Sequence, residues 1–191
     1  LGRINKTRIR YGKLSDVIQK LNKKISIRVG IIGPEASKKV EGADLNMAEL
    51  GAVHEFGARI AVTEKMRAFL HYMGIHLKKD TKEIEIPVRS FLREALLTPE
   101  GKKALQVWNI SEKEALIEYL NSDSASAEVL ANAIGQKALD RVLNAFDTGG
   151  FGKWKPITEF TREHRKGGAD NPPLDSTGDL RDSITFEVKE L

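Results

Sequence analysis

Cysteine is absent from the 191 residues. That single absence removes disulfides, thiol nucleophiles and thiolate metal sites together, so rigidity has to come from packing or from assembly. Long apolar runs are missing too. Nothing approaches the ~18 consecutive apolar residues of a membrane span, and with 30% charged against 40% hydrophobic residues the chain reads as soluble, with no membrane partner. No charged segment leads into an apolar stretch and a small-residue cleavage site, which reads as cytoplasmic. Internal repeats are lacking, and the length suits one domain, 1–191, with a substantial core.

Patterns that carry catalysis or metal binding are also thin. Gly149-Gly150-Phe151-Gly152-Lys153 lacks the spacing of a phosphate loop and the Ser or Thr that follows its lysine. His71 and His76 are five apart, His54 has no partner at helical spacing, and His164 sits in a charged stretch near a Gly-Gly pair. The first three read as single solvated histidines rather than zinc ligands, and His164 as part of a mobile loop rather than a general base. Glu83 and Glu85 share one face of a strand, but without an apolar pocket to split their pKa values they read as an edge-strand charge device. No catalytic, cofactor-binding or metal residue is assigned, and an enzyme is not expected.

What is present, first of all, is positive charge at one end. Residues 1–40 carry eleven Lys or Arg against two acids, Asp16 and Glu35, a net of +9 that leaves −5 for the rest of a chain whose formal charge is +4. A basic arm over residues 1–13, with Arg3, Lys6, Arg8 and Arg10, suits contact with DNA phosphate or an acidic protein face. The alternative is a solvated tail, and Tyr11 alone offers little stacking.

Hydropathy periods then lay out an α+β chain. Leu14, Val17, Ile18 and Leu21 fall at helical spacing, and Ile25, Ile27, Val29 and Ile31 alternate as a half-buried strand closed by Gly33-Pro34. Residues 34–43 read as a polar loop, with Asp44 as the cap of a helix whose inward face is Leu45, Ala48, Ala52 and Phe56. On that reading His54 and Glu55 face solvent and Gly57 is a left-handed C-cap. Extended segments are expected through Arg59–Val62, Ala68–Leu77 and Ile84–Ile86, the last ended by Pro87. A helical insert over 98–126 contains the restart signal Thr98-Pro99-Glu100 and a capping box at Ser111-x-x-Glu114. Val129, Leu130, Ile134, Ala138, Val142 and Phe146 mark the longest amphipathic helix, which is expected to pack on the sheet. Residues 147–175 lack periodicity and read as a long surface loop, within which deletion from Gly150 to Asp170 is expected to spare folding. Ile184, Phe186 and Val188 form a final strand. The expected architecture is a small antiparallel sheet packed by two or more helices.

Four stretches in order carry a resemblance: Gly51-Ala52-Val53-His54-Glu55-Phe56-Gly57; Ile86-Pro87-Val88-Arg89-Ser90-Phe91-Leu92; Trp154-Lys155-Pro156 with Thr161; and Pro173 through Thr177-Gly178-Asp179-Leu180 to Ile184. Together they resemble the phage virion-morphogenesis family, small tail-completion proteins of Mu-like phages and prophages, related in fold to tail terminators. The resemblance runs from about Ile25 to the C-terminus; the insert over 98–126 is longer than in the smallest family members. It implies a structural protein of the virion, assembled in the bacterial cytoplasm as a homo-oligomeric ring, usually taken to be a hexamer. Such a ring caps the head-proximal end of the tail and joins it to the head. The implied partners are the tail tube protein, the head connector or head-closure protein, and DNA passing through the lumen; no cofactor is implied. Glu55 and Arg89 would be brought together as a charge pair or an intersubunit contact, and Phe56, Gly57, Phe91, Trp154, Gly178 and Leu180 are the remaining motif or interface candidates. A head-closure role, and a nucleic-acid-binding accessory role for the basic arm, stay open beside this reading.

Overall fold

The computed structural model describes residues 11–106, 113–122, 125–165 and 171–191. The elements run α1 (Tyr11–Leu21), β1 (Ile25–Gly30), α2 (Pro34–Ser37), α3 (Met47–Phe56), β2 (Ala58–Ala61), α4 (Glu64–Tyr72), β3 (Glu83–Ile86), α5 (Leu92–Leu96), α6 (Pro99–Ala104), α7 (Lys113–Asn121), α8 (Ala127–Asp147), α9 (Glu159–His164), α10 (Asp179–Asp182) and β4 (Thr185–Glu190). The fold is mixed α+β. Its described strands form two separate antiparallel pairs, β1 with β4 and β2 with β3, rather than one sheet.

The β1–β4 pair is the floor of the core. Ile27 lies opposite Val188 and Val29 opposite Phe186, while Arg28 and its register partner Glu187 close an ion pair at 3.1 Å on the outer side. Helix α8 crosses this pair as its pattern predicts. Ser126 caps its start by accepting from the Val129 N–H at 3.1 Å, and Ala131, Gly135, Ala138, Val142, Ala145 and Phe146 form its buried stripe. The small residues on that stripe allow close approach to the strands. Val129, expected inside, lies one turn from the helix start and is exposed. Phe91, Met47, Trp154, Leu180 and Ile184 complete the core around Val142 and Phe146.

Three expectations are overturned in the first half of the chain. Asp44 is not the cap of α3: Asn46 is, in a reciprocal capping box with Glu49 (2.9 and 2.8 Å). That start rotates the buried face to Met47, Gly51 and Glu55, leaving Phe56 exposed. Residues 68–72, expected extended, belong to α4, because Thr63 accepts from the Met66 N–H at 3.1 Å and the run that follows is rich in helix formers. Residues 34–37 of the expected polar loop form a helical turn opened by Pro34.

The second half brings one larger correction. Residues 147–165 are not a peripheral surface loop. Trp154 is buried, edge-on to Phe146 with ring centroids 5.8 Å apart, and its indole N–H donates to the Ser90 carbonyl at 3.3 Å. Gly150 makes this possible: at φ +68° its backbone lies against the indole, and a Cβ there would be 2.2 Å from the ring. Thr158 caps α9, and His164, expected in a mobile stretch, stacks on Phe160 with centroids 4.0 Å apart. A deletion through this segment would therefore strip the core of Trp154. In the insert, Thr98 caps α6 as expected, accepting from the Gly101 N–H at 3.1 Å, and α7 lies against α1. Ser111 of the expected capping box falls outside the described residues.

Between Gly57 and Pro87 the chain leaves the core as an arm. Strands β2 and β3 pair with each other, and Arg67 of α4 ties that helix back by donating to the carbonyls of Lys78 (2.8 Å) and Thr81 (2.6 Å). Ile60, Phe69 and Tyr72 of the arm are exposed, Tyr72 at 86%.

The tightest contact in the core gives a test. A Cβ on Gly135 would sit 2.3 Å from the Phe186 ring. Gly135→Ala gains up to ~1 kcal/mol of helix propensity but overpacks the α8–β4 contact. A net loss of about 1–3 kcal/mol is expected in urea denaturation; a gain in stability would mean that the ring is not held there.

Candidate functional site

All four resembling stretches meet at one place, and Glu55 is its centre. Its carboxylate is 4% exposed because α3 points it at the start of α5. The N-cap position of α5 is Phe91, which has no side-chain acceptor, so the first N–H groups of the helix lack a local cap. Glu55 supplies it from a distant part of the chain. One carboxylate oxygen accepts from the Phe91 and Leu92 N–H groups at 2.8 and 2.9 Å. The other accepts from Ser90 Oγ (2.6 Å), the Arg93 N–H (3.1 Å) and Arg93 Nε (2.9 Å), and the Arg93 guanidinium also donates to the Glu55 carbonyl.

Magnitudes explain why a charge survives here. Desolvation of a carboxylate costs several kcal/mol, and burial pushes the Glu55 pKa up. The bonds from Ser90, the Leu92 N–H and Arg93 act the other way and prevail, so the pKa is held below its ordinary 4.5. Charge-assisted hydrogen bonds of ~1.5–3 kcal/mol each are numerous enough to offset the burial.

The implied Glu55–Arg89 pair is not formed. Arg93 takes that place (2.9 Å) and lies over the exposed Phe56 ring, 4.8 Å from its centroid. Arg89 turns instead to the Lys155 carbonyl, with Nε and Nη2 at 3.3 and 3.2 Å, while its N–H bonds the His54 carbonyl at 2.8 Å and clamps the base of the arm. Gly57 has the positive φ expected of it, +74°, with ψ extended at 167° instead of helical. A Cβ there would fall 2.9 Å from Val88 Cγ2. Phe91 and Leu180 are buried in the core, and Gly178, left-handed at φ 84°, turns the chain into α10 so that Leu180 points inward. Arg3, Lys6, Arg8 and Arg10 lie outside the described residues.

Residues that the sequence pattern did not single out complete the site. Ser90 is buried, and Arg93 is the true counter-ion of Glu55. The signal available for them was a helix beginning Phe91-Leu92-Arg93 with no Ser, Thr, Asp or Asn at its cap. His54, expected in solvent, lines a cavity of about 250 Å³ together with Met47, Leu50, Arg89, Arg165 and Leu174. Its Nδ1 is buried with no hydrogen-bond partner. Burial first, and then the charge of Arg89, lower its pKa from 6.5 to about 4, so the ring is neutral near pH 7. His71 and His76 are not solvated singly either: their Nδ1 atoms are 2.8 Å apart. Among the described residues no group of three or more His, Asp or Glu is placed to hold a metal ion, and no helix is long and apolar enough to cross a membrane.

No protein-family model, curated protein or solved structure matches the chain. What the arrangement does by itself is structural: it joins the helix before the arm, the helix after it, the Trp154 segment and the α10 turn.

Acid titration separates the two buried groups. Between pH 6.5 and 4 an unfolded chain protonates His54 and the folded one does not. That contribution is complete above pH 6.5 and is lost as pH falls, with a slope of up to ~1.4 kcal/mol per pH unit. Glu55, whose folded pKa lies below 4.5, contributes above that value and is lost as pH falls through its lowered pKa. Urea denaturation across this range should show His54→Gln with a shallower pH slope than wild type between pH 6.5 and 4. At pH 7, Glu55→Gln sets an amide NH₂ against N–H donors and should cost about 3–5 kcal/mol; a loss under ~1 kcal/mol would put the carboxylate in solvent.

Proposed function

We propose that this chain is a structural protein of a tailed phage or prophage that completes the head-proximal end of the tail, working as one subunit of a closed ring. The observation that carries the reading is the meeting of the four resembling stretches. Residues far apart in sequence, Glu55, Ser90, Trp154 and Leu180, share one buried neighbourhood. Four weak matches in order are thus parts of one device that fixes how the arm leaves the core.

The arm supplies the second support. Its helix α4 carries Phe69 and Tyr72 on one face, both more than half exposed, and exposed apolar patches of that kind mark interaction surfaces. A ring closes when one such surface meets a different surface on the next subunit with a rotation that returns to the start. In this reading the partners are further copies of the chain, the tail tube and the head connector.

Deleting the gene from its parent element and inspecting induced lysates by negative-stain electron microscopy tests the assignment. Full heads beside detached or abnormally long tails are expected, whereas heads emptied of DNA would move the role to head closure. Complementation with a Phe69→Glu/Tyr72→Glu protein that is folded by circular dichroism should fail to restore infectious particles. Normal particles from the deletion strain would remove the virion reading.

A further inference from the structure

The cavity beside the Glu55 knot has a largely buried arginine with a spare donor in its wall. Arg89 is 8% exposed, yet both of its bonded nitrogens share a single neutral acceptor, the Lys155 carbonyl. Among the described residues no carboxylate pairs with it, and Nη1 has no protein partner. A buried guanidinium without a counter-ion is costly, and its lowered pKa has desolvation as the cause. His54 lines the same wall, but its Nδ1 is closed off from the cavity, buried without a partner.

The remaining polar groups do not relieve either one. Arg165 is consumed by the carbonyls of Asn171 (2.9 Å), Pro172 (3.2 Å) and Asp175. Asp179, the acid in the wall, accepts from Thr177 Oγ1 at 2.7 Å and makes no ion pair with Arg89. Much of the rest of the lining is apolar, with Met47, Leu50 and Leu174 among it.

We propose that this cavity is a binding site for a monocarboxylate with a compact apolar body, whose carboxylate meets the unused Nη1 of Arg89. One free guanidinium corner offsets a single negative charge, whereas a phosphate dianion would leave oxygens unpaired against largely apolar walls. The volume of about 250 Å³ lies just below the usual range of ligand pockets, roughly 300–1,000 Å³. It suits a short acid, or an aspartate or glutamate side chain of a second protein, and not a nucleotide. The inference stands apart from the virion reading, since it uses only the cavity's own groups.

Titration of the ¹⁵N-labelled full chain with 3-methylbutanoate, followed by amide NMR shifts, is the test. Saturable shifts around His54, Arg89 and Leu174 are expected. Binding of the neutral 3-methylbutanamide, and binding of the acid to Arg89→Gln, should be at least about tenfold weaker. Thr161→Trp, on the exposed rim, closes the cavity without entering the core, and keeps the test intact where Arg89→Gln fails to fold. Equal affinity for acid and amide, undiminished binding in a folded Arg89→Gln or in Thr161→Trp, or tighter binding of inorganic phosphate would each overturn the proposal. A blocked tripeptide with glutamate between two leucines distinguishes the sources: displacement of the acid by the peptide assigns a protein side chain, and binding of the free acid alone assigns a small molecule.

Discussion

The fold depends on a carboxylate that has to be buried. Helix α5 starts at a phenylalanine that cannot cap it, and the missing acceptor comes from Glu55, on a helix that precedes it by an entire arm. Because three backbone N–H groups, a serine hydroxyl and an arginine guanidinium all need the same two oxygens, the helices on either side of the arm are locked in one relative position. Apolar contacts around Phe91 and Phe146 supply most of the driving force. They are non-directional, and the hydrogen bonds are what select a single arrangement among the apolar packings available.

That lock continues into its surroundings. Ser90 donates to Glu55 through its hydroxyl and accepts the Trp154 indole N–H through its carbonyl, so one residue couples the α5 start to the segment after α8. Arg89, next in the chain, faces the other way, to the Lys155 carbonyl and the cavity. Consecutive residues thus serve opposite purposes. Arg93 neutralises the knot, and Arg89 is a buried charge that no acid among the described residues pairs with.

Much of this was legible in the sequence, and what was not has identifiable causes. The long period of α8, the alternation of β1 and β4, and the Thr98-Pro99 restart are local signals, and local physics satisfies them. The face of α3 was misjudged because an inward glutamate contradicts hydropathy unless its donors are known, and those lie more than thirty residues downstream. Two arginines four apart, Arg89 and Arg93, are equally good partners for Glu55 on paper; only the rotation of α5 decides between them. The 147–165 segment lacks periodicity because its order comes from one tryptophan, three glycines with positive φ and a six-residue helix, none of which produces a repeating pattern.

The pairing of β1 with β4 sets the order of events when the chain is made. Strand β1 emerges early, but its hydrogen-bonding partner, and with it the floor on which α8 rests, follows every other described element. Closing so long a loop is slow relative to forming helices, and until it closes the apolar stripe of α8 has only part of its cover. Folding is therefore completed after β4 leaves the ribosome. The first strand to form thus waits for the last, and the α8 stripe gains its full cover only when the two meet.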